Sequence, residues 1–246
     1  MDSAVKERYT VSVHHRPGLH LGATELQDLH RELVAVAHTC LDELPDYQCL
    51  TGKREEFARL TISVARDSKG RMVGFCSAYL LDCSESVPVL HLGLTCVRPL
   101  THTLTLKVVV SHLLRHSWFK PVWVSNVACV LSSLGNVGLH FEDVYPSPFL
   151  AVPGPKHRSI ARTIDHLFRS ELLISADAHF DSTRFVFEGS VKGTSFEKEG
   201  SDARFFHRQD WINRYYKNLI NFERGDEVLQ IGKISLLSYP KYLVRS

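Results

Sequence analysis

The segment from Val89 to His116, VLHLGLTCVRPLTHTLTLKVVVSHLLRH, joins a strand pattern to a helix pattern through a short polar turn. Leu90, Leu92, Leu94 and Cys96 alternate with His91, Gly93, Thr95 and Val97, the period of two that a strand imposes. From Leu104 the apolar residues Leu104, Val108, Val109, Leu113 and Leu114 fall at helical spacing, with Thr103 as the expected N-cap. A strand that runs into a helix N-terminus leaves several backbone N–H groups directed at one spot. That chemistry suits an anion such as a phosphate.

Other chemistry-bearing residues form no recognisable constellation. His112 and His116 stand at i and i+4 on the expected helix, but the position of a metalloprotease glutamate is held by Leu113 and no third ligand is identifiable, so both read as surface histidines. Six cysteines are scattered without a C-x-x-C pair, several of them in apolar segments, and read as buried free thiols. Cys129 lies in apolar surroundings and reads the same way. The sequence has no G-x-S-x-G elbow, no G-x-x-x-x-G-K-[ST] loop and no G-x-G-x-x-G turn, which removes the common hydrolase, nucleotide-phosphate and dinucleotide signatures.

The elements that must position these residues follow from periodicity. Residues 9–14 alternate as a first strand. Ala23 to Leu44 carries Leu26, Leu29, Leu33, Val34, Val36, Ala37 and Leu41 at helical spacing, with Thr24 as N-cap and Pro45 as the stop. Ala58 to Ala65 and Met72 to Leu81 are alternating runs separated by Asp67-Ser68-Lys69-Gly70, a hairpin signal in which Gly70 is free to take a positive φ. After the central strand and helix, Pro121 to Asn126 reads as a strand, Val127 to Leu134 as a helix stopped at Gly135, and Phe141 to Pro148 as an extended exit. Beyond Pro153, Lys156 to Ile174 is expected to be helical with Ile160, Ile164, Leu167, Phe168 and Leu172 on one face. Arg184 to Glu188 alternates as a strand, and Ser190 to Ala203 reads as a loop, either a lid over a pocket or a plain surface excursion. Asp210 to Ile220 reads as a helix with Asp210 as N-cap, and Glu227 to Leu236 as a last strand. The Trp211, Arg214, Tyr215 and Tyr216 cluster could stack on bases, yet its helical spacing favours core aromatics, so no nucleic-acid partner is expected.

Composition sets the outer bounds. With 246 residues, 44% of them hydrophobic, and a formal charge of +2 from 29 basic and 27 acidic residues, no general polyanion-binding surface is indicated. No run approaches the roughly 18 apolar residues of a membrane span, so a soluble, cytoplasmic protein without a membrane partner is the expectation.

The order strand, helix, strand, strand, strand, helix, strand, helix over residues 9–148 resembles that of the GNAT acyltransferases. The matching residues are Gly70-Arg71-Met72-Val73-Gly74-Phe75, the Val97-x-Pro99 ending of the central strand with the helix after it, and Val122 to Asn126 with its helix. The resemblance implies an α+β fold: one domain over 1–246 with a mixed, mostly antiparallel central sheet flanked by helices. Its core would be 1–148, with 149–225 a long insertion or extension before the closing strand and tail at 226–246. It implies acetyl-CoA or another acyl-CoA as co-substrate and an amine acceptor as partner, with homodimer formation left open. The family's turn reads Arg/Gln-x-x-Gly-x-Gly/Ala, and those three signature positions fall here on His102, Thr105 and Lys107. The glycines that let the backbone approach the pyrophosphate are therefore missing, and Thr105 is expected to crowd the turn. Cofactor contacts would come from Cys96, Val97, His102, Thr103, Leu104, Thr105, Leu106, Lys107 and, on the next strand, Asn126. By the same resemblance His91 is the expected base, and Ser132 and Ser133 stand at the acid position, where the family often has a tyrosine. Ser133 is the residue expected at the catalytic site, but a serine hydroxyl is a poor proton donor to a thiolate, so water or another side chain must supply the proton. The alternative is a GNAT-like binding or regulatory module that no longer catalyses transfer.

Overall fold

The computed structural model describes residues 9–83, 88–97, 101–116 and 121–235, and of 97, 101–103, 106, 112–114 and 116 the backbone alone. The strands are β1 (Thr10–His15), β2 (Leu60–Arg66), β3 (Met72–Leu81), β4 (Val89–Val97), β5 (Val122–Ala128), β6 (Glu142–Tyr145), β7 (His179–Asp181), β8 (Val186–Glu188) and β9 (Glu227–Ile234). The helices are α1 (Pro17–His20), α2 (Ala23–Ala37), α3 (Arg54–Phe57), α4 (Thr101–His116), α5 (Leu131–His140), α6 (Pro155–Thr163) and α7 (Asp210–Lys217). The fold class is α+β with a mostly antiparallel sheet, and the element order that carried the resemblance is present.

The chain divides into two compact units, residues 1–79 with 93–116 and residues 80–92 with 117–246, so β4 contributes its last five residues to the first and its first four to the second. In the first unit β1, β2 and β3 pair antiparallel in chain order. The β2–β3 turn is built as its residues demand: the Asp67 carboxylate accepts the N–H groups of Lys69 and Arg71 at 2.9 and 3.0 Å, and Gly70 takes φ +77. Leu33, Phe57, Ile62, Val64, Phe75, Leu104, Val108 and Val109 are fully buried and form the core between sheet and helices. At about 1.5–3 kcal/mol for each large apolar side chain removed from water, this layer holds α4 against the sheet. Ser63 on β2 adds a buried hydrogen bond, its hydroxyl donating to the Leu104 carbonyl at 2.8 Å.

In the second unit β5 is central. It pairs parallel with Val89–Leu92 of β4 and antiparallel along its whole length with β9. The other edge of β9 is shared by β8, which continues antiparallel to β7, and by β6. One face of β9 carries α5 and α7 around Leu131, Leu134, Ile212, Tyr216, Ile220 and Val228.

Several boundaries differ from the expected ones. α2 ends at Ala37 instead of near Leu44: Thr39 N–H and Cys40 N–H close three-residue turns on Val36 and Ala37, and the Thr39 hydroxyl also takes the Val36 carbonyl. Its N-cap position is Gly22, not Thr24, with the Glu25 carboxylate accepting the Gly22 N–H. The β5 strand continues through Ala128 because β9 pairs it there, so α5 starts at Leu131 and passes through Gly135 to His140. The region expected as one helix from Lys156 to Ile174 is α6 followed by a wide turn, Ile164–Phe168, of i→i+5 type. The extra residue rotates the helical face, leaving Ile164, Phe168 and Leu172 buried and Leu167 68% exposed. In α7 the N-cap position is Gln209, not Asp210, and Trp211 is 40% exposed while Ile212 and Tyr216 are buried. The expected final strand stops at Ile234, and the tail from residue 236 lies outside the described residues.

Candidate functional site

In the first unit, β4 leads toward the N-terminus of α4. The N–H groups of a helix's first three residues have no partner four residues back, so in a helix starting at Thr101 the open donors are those of Thr101, His102 and Thr103. The N–H of a fourth residue such as Leu104 is used in the first turn, as Leu26 N–H is in α2, where it donates to the Gly22 carbonyl at 3.0 Å. The helix begins two residues before the expected N-cap, Thr103. The N–H groups of Thr105, Leu106 and Lys107 are consequently used inside it and cannot serve an anion. The Thr105 hydroxyl lies 3.8 Å from the Cys76 thiol on β3. Lys107 is exposed, and Leu104 is fully buried. Cys96 is 2% exposed, and a hydrogen bond with Cys40, reinforced by burial, pushes its thiol far above the usual range, so it is an inert core thiol. Val97, His102, Thr103 and Leu106 are described through the backbone alone, and Pro99 lies outside the described residues.

Behind Gly93 in the same unit lies a polar cluster with no periodic signature. Gln48, 1% exposed, belongs to a 3-10 turn, Gln48–Leu50, and has the left-handed φ of +49. Its carboxamide lies directly over Gly93, so closely that a methyl group there would overlap it. The Ser77 hydroxyl donates to Gln48 Oε1 at 2.5 Å and the Leu94 N–H at 3.4 Å, while Gln48 Nε2 donates to the Tyr47 hydroxyl at 2.9 Å. Next to it on β3, the buried Tyr79 donates its hydroxyl to the Glu56 carboxylate, and burial is the main cause that pushes the phenol up. The one local hint in the sequence was a glycine interrupting a β-branched and leucine-rich strand.

In the second unit His91 pairs in register with Ser125, and its Nδ1 lies 3.0 Å from the Ser125 hydroxyl. The ring is 2% exposed, and burial pushes its pKa down to about 3, so it is neutral at ordinary pH. A neutral, enclosed imidazole of that weak basicity is a poor acceptor for an amine proton. Successive strand residues face opposite sides of a sheet. Ser125 and His91 therefore share the side of Trp123, over which the His157 ring of α6 stands edge-on at 5.2 Å. Asn126 faces the other side, where its Nδ2 donates to Gln230 Oε1 at 3.1 Å. Gln230 Nε2 in turn donates to the Leu134 carbonyl of α5 at 3.1 Å and to the Tyr216 hydroxyl at 2.7 Å. Half-buried Ser133 is on that α5, across the sheet from His91. The expected base and acid thus stand on opposite faces and do not form one site.

Glu227 at the start of β9 carries no signal in the sequence that marks it as buried. Its carboxyl is buried, accepts the Ser190 hydroxyl at 2.6 Å, and is raised by burial to about 7. Among the described residues no group of three histidine, cysteine or carboxylate side chains could hold a metal ion, and no helix is long and apolar enough to cross a membrane. The side chains of His112 and His116 lie outside the described ones.

No protein-family model matches the chain, and no curated protein matches it. Solved structures of N-acyltransferases resemble it in part. An acyl-CoA N-acyltransferase from Pseudomonas aeruginosa is 18% identical with a TM-score of 0.36, covering 58% of this chain and 95% of that one. A GNAT family N-acetyltransferase (YhbS) from Escherichia coli, solved in complex with CoA, is 16% identical with a TM-score of 0.30, covering 52% of this chain and 66% of that one. The glucosamine N-acetyltransferase region of a fungal multi-domain beta-N-acetylglucosaminidase is 14% identical with a TM-score of 0.31 over 70% of this chain, and the chain spans 17% of that protein's length.

Proposed function

We propose that the chain is an acyl-CoA-dependent N-acyltransferase, transferring an acyl group, acetyl being the simplest, to an amine of a small molecule or protein. The observation that carries this reading is the N-terminus of α4 after β4, with the open N–H groups of Thr101, His102 and Thr103 available to the pyrophosphate of the carrier. Backbone donors work whatever the side chains are, so the absent glycines weaken the approach without removing the donors. Lys107, exposed one turn further on, adds a positive charge near the same helix end. In the reaction the amine nitrogen forms a bond to the thioester carbonyl carbon, the C–S bond breaks, and CoA leaves as the thiol. The proton lost by the amine balances the one gained by sulfur.

A second reading, an acyl-CoA-binding module without transfer, is favoured by one geometric observation: His91 and Ser133 stand on opposite sheet faces, with His91 neutral and enclosed. Release of free CoA thiol from acetyl-CoA, followed with a panel of primary amines, separates the two. Amine-dependent thiol release supports transfer. Saturable acetyl-CoA binding with no release above the rate in buffer supports the module, and absence of both removes either reading.

A further inference from the structure

The cluster over Gly93 has the composition of a ligand site with the ligand replaced by a side chain. Two donors, the Ser77 hydroxyl and the Leu94 N–H, converge on one carbonyl oxygen, and that oxygen belongs to Gln48. Gly93 supplies the space, since any side chain there would overlap the carboxamide. Ser77 and Gln48 are buried, whereas Gly93 and Thr95 are half-buried, so the slot borders solvent along β4. Gln48 is held in the left-handed region that non-glycine residues seldom adopt, at φ +49. Its turn is fastened from the far end, the His30 ring bonding the Leu50 carbonyl at 3.0 Å and the Thr51 hydroxyl donating to the Gln48 carbonyl at 3.0 Å. For the Gln48 carboxamide to leave the slot, its bonds with the Ser77 hydroxyl, the Leu94 N–H and the Tyr47 hydroxyl must break.

We propose that Gln48 is a resident stand-in for the carbonyl of an acyl ligand, closing a receptor formed by Leu94 N–H and Ser77 O–H, and that acyl ligand and Gln48 side chain compete for it. The inference rests on the acyl-CoA reading above. Leu94 stands three residues, about 10 Å of extended strand, before the end of β4, on the strand that leads to α4. A carrier held by its diphosphate at α4 would lay its thioester back along β4 toward Leu94. Free CoA, which has no acyl carbonyl, would not compete with Gln48.

The test compares acetyl-CoA with CoA by calorimetry on the wild-type chain, Gln48→Ala, which empties the slot, and Gln48→Met, which fills it without a carbonyl. The alanine variant is expected to bind acetyl-CoA about tenfold more tightly than wild type, with CoA affinity unchanged and no such gain in the methionine variant. Equal changes for both ligands, or an equal gain with methionine, overturns the proposal. Should the alanine variant fail to fold, the wild-type chain decides: acetyl-CoA is expected to shift the Gln48 side-chain amide resonances where CoA does not, and identical responses overturn the proposal. If neither CoA form binds any variant, the acyl-CoA reading has failed, and titration with N-methylacetamide then judges the slot separately. A shift of the Leu94 amide in Gln48→Ala but not in wild type supports it, and no shift in either overturns it.

Discussion

At the scale of single residues, two buried ionisable groups dominate, and they pull stability in opposite directions with pH. Glu227, raised to about 7, keeps a proton that the unfolded chain releases near an ordinary carboxyl pKa of 4.5. Its contribution is therefore present below about pH 4.5, falls as pH rises toward 7, and is flat above, a loss of about 3 kcal/mol at most. Glu227→Gln is expected to abolish that slope, so urea midpoints at pH 5 and pH 8 should differ less than in wild type; an unchanged difference contradicts the assignment. His91, lowered to about 3 from an ordinary 6.5, works the other way: its contribution is complete above pH 6.5 and is lost as pH falls toward 3. His91→Asn is expected to flatten the acid limb between those values, and a wild-type acid limb in that variant would contradict it. Neither behaviour is visible in the sequence, where the strand pattern around His91 fits a half-buried base as well as an enclosed one. What separates them is the coverage of that sheet face by α6, an element more than sixty residues further along the chain.

At the scale of elements, local chemistry is legible in the sequence where the chain makes its own partners. The β2–β3 turn, with Asp67 and Gly70, forms as its residues dictate, and β4 and α4 occupy the stretch in which periodicity changes from two to helical spacing. It is not legible where a distant element decides. Gly135 looks like a helix stop, yet it lies within α5 because a Cβ there would stand 2.7 Å from the His207 ring and 2.8 Å from the Ile212 side chain. Gly135→Ala should thus destabilise despite its better helix propensity, by about 1–3 kcal/mol, read as a lowered urea midpoint; a raised midpoint would show that α7 and its leader can yield. The helix after Gly154 illustrates the same lesson, since a five-residue wide turn shifts Leu167 out of the buried face that its spacing assigns to it.

At the scale of the whole molecule, the order of elements was the most legible feature, because each strand and helix announces itself over a few residues and their sequence survives small boundary errors. The site was less legible. The helix register that determines which N–H groups are open, the opposite orientations of His91 and Asn126, and the occupation of the Gly93 slot by Gln48 are all consequences of pairing between residues far apart in sequence. With a net charge of only +2, long-range attraction contributes little to capturing an anionic carrier, so binding must come from short-range donors. Calorimetry of the full chain with acetyl-CoA tests that claim most directly. Saturable heat that competes with inorganic pyrophosphate is the expected result, and no heat at millimolar acetyl-CoA, from a chain whose unfolding temperature the ligand leaves unmoved, would contradict it.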